Sequence, residues 1–198
     1  MRHLWTLPAL LLSASAALAS GDARTHDGFY LRLQGGPGGV RTSNEGEDVA
    51  LKGAGGGLNV EIGGALTRNF ILYGKLFGAS VPSPDLEFGD ITIEDPGTDV
   101  TLGVGAVGVG VTYYFMPVNL YVSGAVSASQ LSLEVDDERG ETEVGPGLHL
   151  GLGKEWWVGD QWGLGVGAEL ALARVDEQDA DTRWGVGTLL LMFSATFN

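Results

Sequence analysis

Ser127, His149 and Glu169 are the residue types in this chain that could do nucleophilic or acid–base chemistry inside a fold. Such chemistry needs a nucleophile and a base within hydrogen-bond reach, and the nearest candidates are His149 with Glu169 or with Ser127. The three stand on separate segments, and nothing in their spacing brings them together. A buried imidazole more often satisfies its neighbours than attacks a substrate, so no catalytic residue is assigned. The run Gly103-Val104-Gly105-Ala106-Val107-Gly108 spells G-x-G-x-x-G. It continues into Val109-Gly110-Val111-Thr112-Tyr113 with no helix and no following acid, so no dinucleotide and no other cofactor is expected. Acid-rich stretches 136–143 and 176–181 lack calcium-loop spacing and read as solvated loops, without a metal site.

The elements that would carry these residues follow from composition. The chain has 198 residues, 33 of them Gly, no Cys, and a formal net charge of −14. Without Cys there is no disulfide scaffold, thiolate metal site or thiol nucleophile. The acid excess argues against a nucleic-acid partner, which would require clustered Lys and Arg. Arg2 and His3, an apolar run over 4–12 and the Ala17-Leu18-Ala19 site read as a secretory signal peptide, residues 1–19, cleaved after Ala19. Residues 20–198 then form one domain.

Period-2 alternation and turn signals predict eight strands in that domain, over 28–39, 51–66, 70–81, 99–115, 119–135, 144–158, 162–175 and 184–198. Tight turns at 67–69, 116–118 and 159–161 alternate with longer polar loops at 41–50, 82–98, 136–143 and 176–183. Most of the acids lie in or beside those loops; only Glu61, Glu155 and Glu169 sit well inside strands. Trp162, Leu164, Val166, Ala168, Leu170 and Leu172 share one face of the seventh strand, opposite Gly163, Gly165, Gly167 and Glu169. A soluble barrel would place polar residues on its outer face instead. The pattern predicts an all-β, eight-stranded antiparallel up-and-down transmembrane barrel, with apolar residues outside and a narrow lumen inside.

Arg32, Asn59, Glu61, Lys75, His149 and Glu169 fall opposite the aliphatic parity of their strands. Buried charges are costly unless paired. A structural ion-pair network is therefore expected in the lumen, with Arg32 and Lys75 facing Glu61 or Glu169 and His149 nearby. The inward glycines leave two readings open, a wet cavity or tightly coiled staves. Near the short turns and strand ends, Phe70, Tyr73, Tyr113, Tyr114, Tyr121, Trp156, Trp157, Trp162 and Phe197 predict an aromatic girdle at one interface. Aliphatic parity slips between Ala106 and Val107, which predicts a β-bulge or glycine kink there.

The signal peptide, the eight strands, the Phe193-x-x-x-Phe197 stretch and the acidic loops together resemble the small outer-membrane β-barrel proteins of Gram-negative bacteria (OmpA/OmpX/Ail-like). Such proteins end in an aromatic residue read by the barrel-assembly machinery; here Asn198 follows Phe197. The resemblance implies a monomer in the outer membrane with both termini periplasmic. Its partners would be membrane lipid and lipopolysaccharide, and its role structural or surface interaction without an open pore. An outer-membrane lipid-modifying hydrolase and a soluble exported ligand-binding barrel are the alternatives.

Overall fold

The computed structural model describes residues 23–44, 46, 48–89, 91–93, 100–136, 138–177 and 182–198. The expected signal peptide and cleavage site lie outside the described residues, as do the loop acids Glu45, Glu47, Asp90, Glu94, Asp95, Asp99, Asp137, Asp179 and Asp181. Every regular element described is a strand: β1 Phe29–Asn44, β2 Val49–Thr67, β3 Phe70–Pro82, β4 Asp85–Phe88, β5 Ile91–Ile93, β6 Val100–Phe115, β7 Leu120–Val135, β8 Glu138–Glu141, β9 Gly145–Trp157, β10 Trp162–Asp176 and β11 Arg183–Phe197. Eight of these are staves. They run β1-β2-β3-β6-β7-β9-β10-β11, each antiparallel to the next, and β1 pairs with both β2 and β11 to close the barrel. Closure leaves no stave edge unpaired, the condition for backbone crossing hydrocarbon.

At one end the staves are joined by tight turns, with Asn69 and Asn119 at positive φ, a conformation asparagine tolerates because its amide bonds locally. At the other end strand structure continues into the segments expected as loops. The segment expected as a loop over 41–50 is largely strand, and β4 extends the wall by pairing with β2 from Val49 to Lys52. Residues 82–98 and 136–143 likewise contain the short strands β4, β5 and β8.

The outward positions of β10 from Trp162 to Leu172 span ten residues, which at ~3.3 Å per residue and ~40° of tilt gives an apolar band about 25 Å tall. Leu58, Leu76, Leu152, Leu191 and Phe193 are each more than 60% exposed on this wall. Water does not tolerate such a continuous apolar exterior; hydrocarbon does.

Two expectations need correction. The ladder from β6 to β3 and β7 runs without a shift past Ala106, so no bulge exists there; the only shift between β2 and β3 lies at Ala65/Thr67. What changes is the lumen. In the half nearer the long loops Leu102, Val104 and Ala106 point inward, while Gly103 and Gly105 point out. They join Val40, Phe77, Val81, Leu131, Val186, Leu190 and Met192 in an apolar layer that fills this half. Strict alternation thus persists while large and small residues exchange faces.

The second correction concerns the girdle. Tyr73, Tyr114 and Tyr121 are buried in the lumen with Tyr30 and Ile71, and Trp157 is on the inward parity of β9, tilted against His26. Phe70, Tyr113, Trp156, Trp162 and Phe197 remain on the outer wall. There Trp162 meets Phe197 edge-on, with ring centroids 5.3 Å apart. Strand parity decides this partition, because neighbouring residues such as Tyr113 and Tyr114 must face opposite ways.

Inward glycines serve close packing. A Cβ on Gly36 or Gly63 would fall 1.8 or 1.9 Å from the carbonyl oxygen of Leu191 or Leu72. Only glycine permits the staves to coil this tightly, and the second of the two readings of the glycine content applies at these positions.

The lumen as candidate functional site

Three layers lie beneath the apolar one, from the short-turn end upward. At the mouth, His26 is fully buried, stacked on Tyr114 at 3.5 Å between centroids. Its ring nitrogens lie 2.7 Å from Asn198 Oδ1 and 2.8 Å from Asn119 Oδ1. This segment is tied down by Arg24 N–H donating to Asp160 O and Asn69 N–H donating to His26 O.

Above the mouth lies the charged layer. Arg32 on β1 places Nη2 2.6 Å from Glu61 Oε2, and its Nη1 is 4.0 Å from Glu155 Oε1 across the lumen. The guanidinium also covers the Tyr121 ring at 4.2 Å. Thr196 Oγ1 and Tyr114 O–H donate to the two oxygens of Glu155. Lys75 Nζ reaches Glu61 at 3.2 Å and Glu169 at 2.8 Å. Asn59 donates to Gln34, Glu61 and Glu169, and Gln34 donates to Tyr121. Every carboxylate here has a cation within 4 Å or hydroxyl donors, which is what makes ionised groups tolerable in a desolvated interior.

The third layer joins this network to the apolar plug. His149 Nδ1 lies 2.9 Å from Glu169 Oε1, and Nε2 lies 3.1 Å from Ser127 Oγ. Ser127 thus meets a base that is oriented by an acid, which is the connectivity of an acyl-transfer triad. The surroundings do not complete it. Phe77 packs edge-on against His149 at 5.0 Å, and the cavity beside them measures about 10 Å³, roughly the room of one water. Residues 126–128 pair with β6 on one side and β9 on the other. Their N–H groups are therefore committed to the ladder rather than aimed at an oxyanion.

The structure brings together Arg32, Glu61, Lys75, His149 and Glu169, all buried. It adds residues that sequence reasoning did not assign to the network. Glu155 shares the inward parity of His149, a signal present in the sequence. Tyr30, Tyr114, Tyr121 and Thr196 follow from parity too, once the register is known. His26 lies outside any strand, so no periodicity could place it.

A closed, apolar-walled barrel whose interior pairs acidic with basic side chains defines an integral membrane β-barrel protein. The profile described as outer membrane protein beta-barrel domain matches residues 6–197, and the chain belongs to this family. No curated protein matches in sequence. Among solved structures, the chain is similar to Neisserial surface protein A (TM-score 0.58, 16% identity, covering 85% of this chain and 96% of that one). It is also similar to Ail, the attachment invasion locus protein of Yersinia pestis, bound to the heparin analogue sucrose octasulfate (0.53, 13%, 85% and 99%). The third is OprG from Pseudomonas aeruginosa (0.50, 12%, 89% and 100%). At these identities the likeness is one of fold. The protein is an integral barrel of the bacterial outer membrane.

Proposed function

We propose that this barrel works as a closed, monomeric structural or surface-interaction protein and not as a pore. The observation that carries the reading is the double seal of the lumen, a paired charged layer beneath an apolar one, with only about 10 Å³ free beside His149. The short-turn end, bearing His26 and Asn198, faces the periplasm, and the long acidic loops face outward. The alternation of tight turns and long loops supports this orientation. Tyr113, Trp156 and Trp162 sit at the periplasmic interface, where amphipathic rings are favoured. Residues 1–19 are removed on export, the barrel-assembly machinery inserts the chain, and the wall contacts membrane lipid and lipopolysaccharide. No nucleic acid and no cofactor takes part. The test is conductance across planar bilayers after detergent refolding with heat-modifiable gel mobility. Folded protein should give no stable ion current; a steady single-channel current would overturn the reading.

One observation favours a second reading. The Ser127–His149–Glu169 connectivity would suit a lipid-modifying hydrolase if the apolar layer moved aside. Lipid A mass spectrometry from cells producing the protein or Ser127→Ala decides between the two. A deacylated species that depends on Ser127 would establish the hydrolase.

A further inference from the structure

The outer wall bears a recess. Where β9, β10, β11 and β1 lie side by side below the long loops, Leu148 and Leu172 stand out from the wall. The neighbouring outward positions of β11 are Gly185 and Gly187, and the recess is about 700 Å³ in volume. Arg41 and Arg174 also line it. A second recess of about 480 Å³, with Leu170 and Leu189 in its lining, shares Arg41 and Gly187 with the first.

Backbone geometry does not demand glycine here. A Cβ on Gly187 would meet nothing nearer than 3.8 Å, and one on Gly185 nothing nearer than 3.6 Å. Gly36 and Gly38 on the inward face differ, since a Cβ there would collide with the carbonyls of Leu191 and Leu189. The recess therefore exists because side chains that would fit are missing. Arg41 pairs with Glu87 through Nη2, yet its side chain remains 60% exposed.

We infer that this recess seats an acyl chain of a phosphorylated glycolipid of the lipid A type, with its phosphate held between Arg41 and Arg174. An apolar trough beneath two guanidinium groups matches an acylated, phosphorylated molecule end to end. Arg is also the side chain best suited to phosphate. The inference deepens the orientation proposed above, which puts the recess in the outer leaflet.

The test uses the full folded chain in dodecyl maltoside micelles doped with lipid A or with phosphatidylcholine, read by native mass spectrometry. The wild type should retain lipid A and not phosphatidylcholine, and excess inorganic phosphate should not displace it. Arg41→Gln with Arg174→Gln should cut retention on the order of tenfold. Gly187→Leu, which fills the trough and keeps both cations, should cut it similarly. Arg139→Gln, on another face of the barrel, should leave it unchanged. Heat-modifiable mobility establishes that each variant is folded. Equal retention of the two lipids, displacement by phosphate alone, or full retention by Gly187→Leu would each overturn the inference. Failure of the membrane reading itself would show separately, as protein that stays soluble without detergent.

Discussion

Lys75 Nζ lies 2.8 Å from Glu169 Oε1, joining β3 to β10, the stave four places away in either direction around the wall. This tie crosses the full lumen. Lys75→Met leaves Glu169 and Glu61 facing each other without their shared cation, and should destabilise the barrel by about 3 kcal/mol. Lys75→Met combined with Glu169→Met should recover much of that loss. Urea unfolding in detergent, followed by tryptophan fluorescence, reads both; a double variant as unstable as the sum of its parts would contradict the coupling.

Depth on the wall provides a second test. Leu152 sits near the middle of the apolar band, and Leu172 near its long-loop edge. Leu152→Arg should cost about 2–4 kcal/mol, whereas Leu172→Arg should cost about 0–1 kcal/mol. The same unfolding assay in lipid vesicles measures the difference. Equal costs would mean that hydrocarbon does not surround these residues.

The pH response of the long-loop end follows from Glu87. The hydrogen bond from Lys52, reinforced by Arg41, holds its carboxyl below the ordinary carboxylate range even though desolvation opposes this. A depressed folded value means that the stabilisation is complete above the unfolded value of ~4.3 and is lost as pH falls through the folded one. Hydrogen exchange at residues 85–88, corrected for intrinsic rates, should accelerate below about pH 4. Glu87→Gln should abolish that dependence while leaving the barrel staves protected.

At the opposite mouth, His26→Ala removes a fully buried ring stacked on Tyr114 and its contacts to Asn119 and Asn198. A loss of about 1–3 kcal/mol is expected. Asn198→Ala should add less in the His26→Ala background than alone, as a double-mutant cycle by thermal gel shift would show. Strict additivity would place the two residues in independent environments.

Much of the architecture was legible because lipid outside and a narrow lumen inside force a period of two. Turn signals marked the seven strand-to-strand connections, and parity gave the inward set Arg32, Glu61, Lys75, His149 and Glu169. Parity failed where both faces are apolar. Around Ala106 the aliphatic run changes side because the lumen changes from polar to apolar, and a sequence carries no marker separating that from a bulge. Tyr73, Tyr114 and Tyr121 were misplaced for a related reason. Position near a turn suggested an interface, while register put these rings inside. The meeting of Ser127 with His149 depends on the β7–β9 register, in which Ser127 lies opposite Gly147 and Ala125 opposite His149, and parity alone does not fix a register.

The cross-lumen ties also bear on how the barrel enters a bilayer. Arg32 and Lys75 belong to the first three staves, but partners such as Glu155 and Glu169 arrive only with β9 and β10. A sheet halted after β7 would leave both cations sharing the single carboxylate of Glu61 and present two open edges to acyl chains, which hydrocarbon disfavours. The carboxylates that come last in the chain thus complete the neutralisation of cations laid down first, which ties early staves to late ones in the finished barrel.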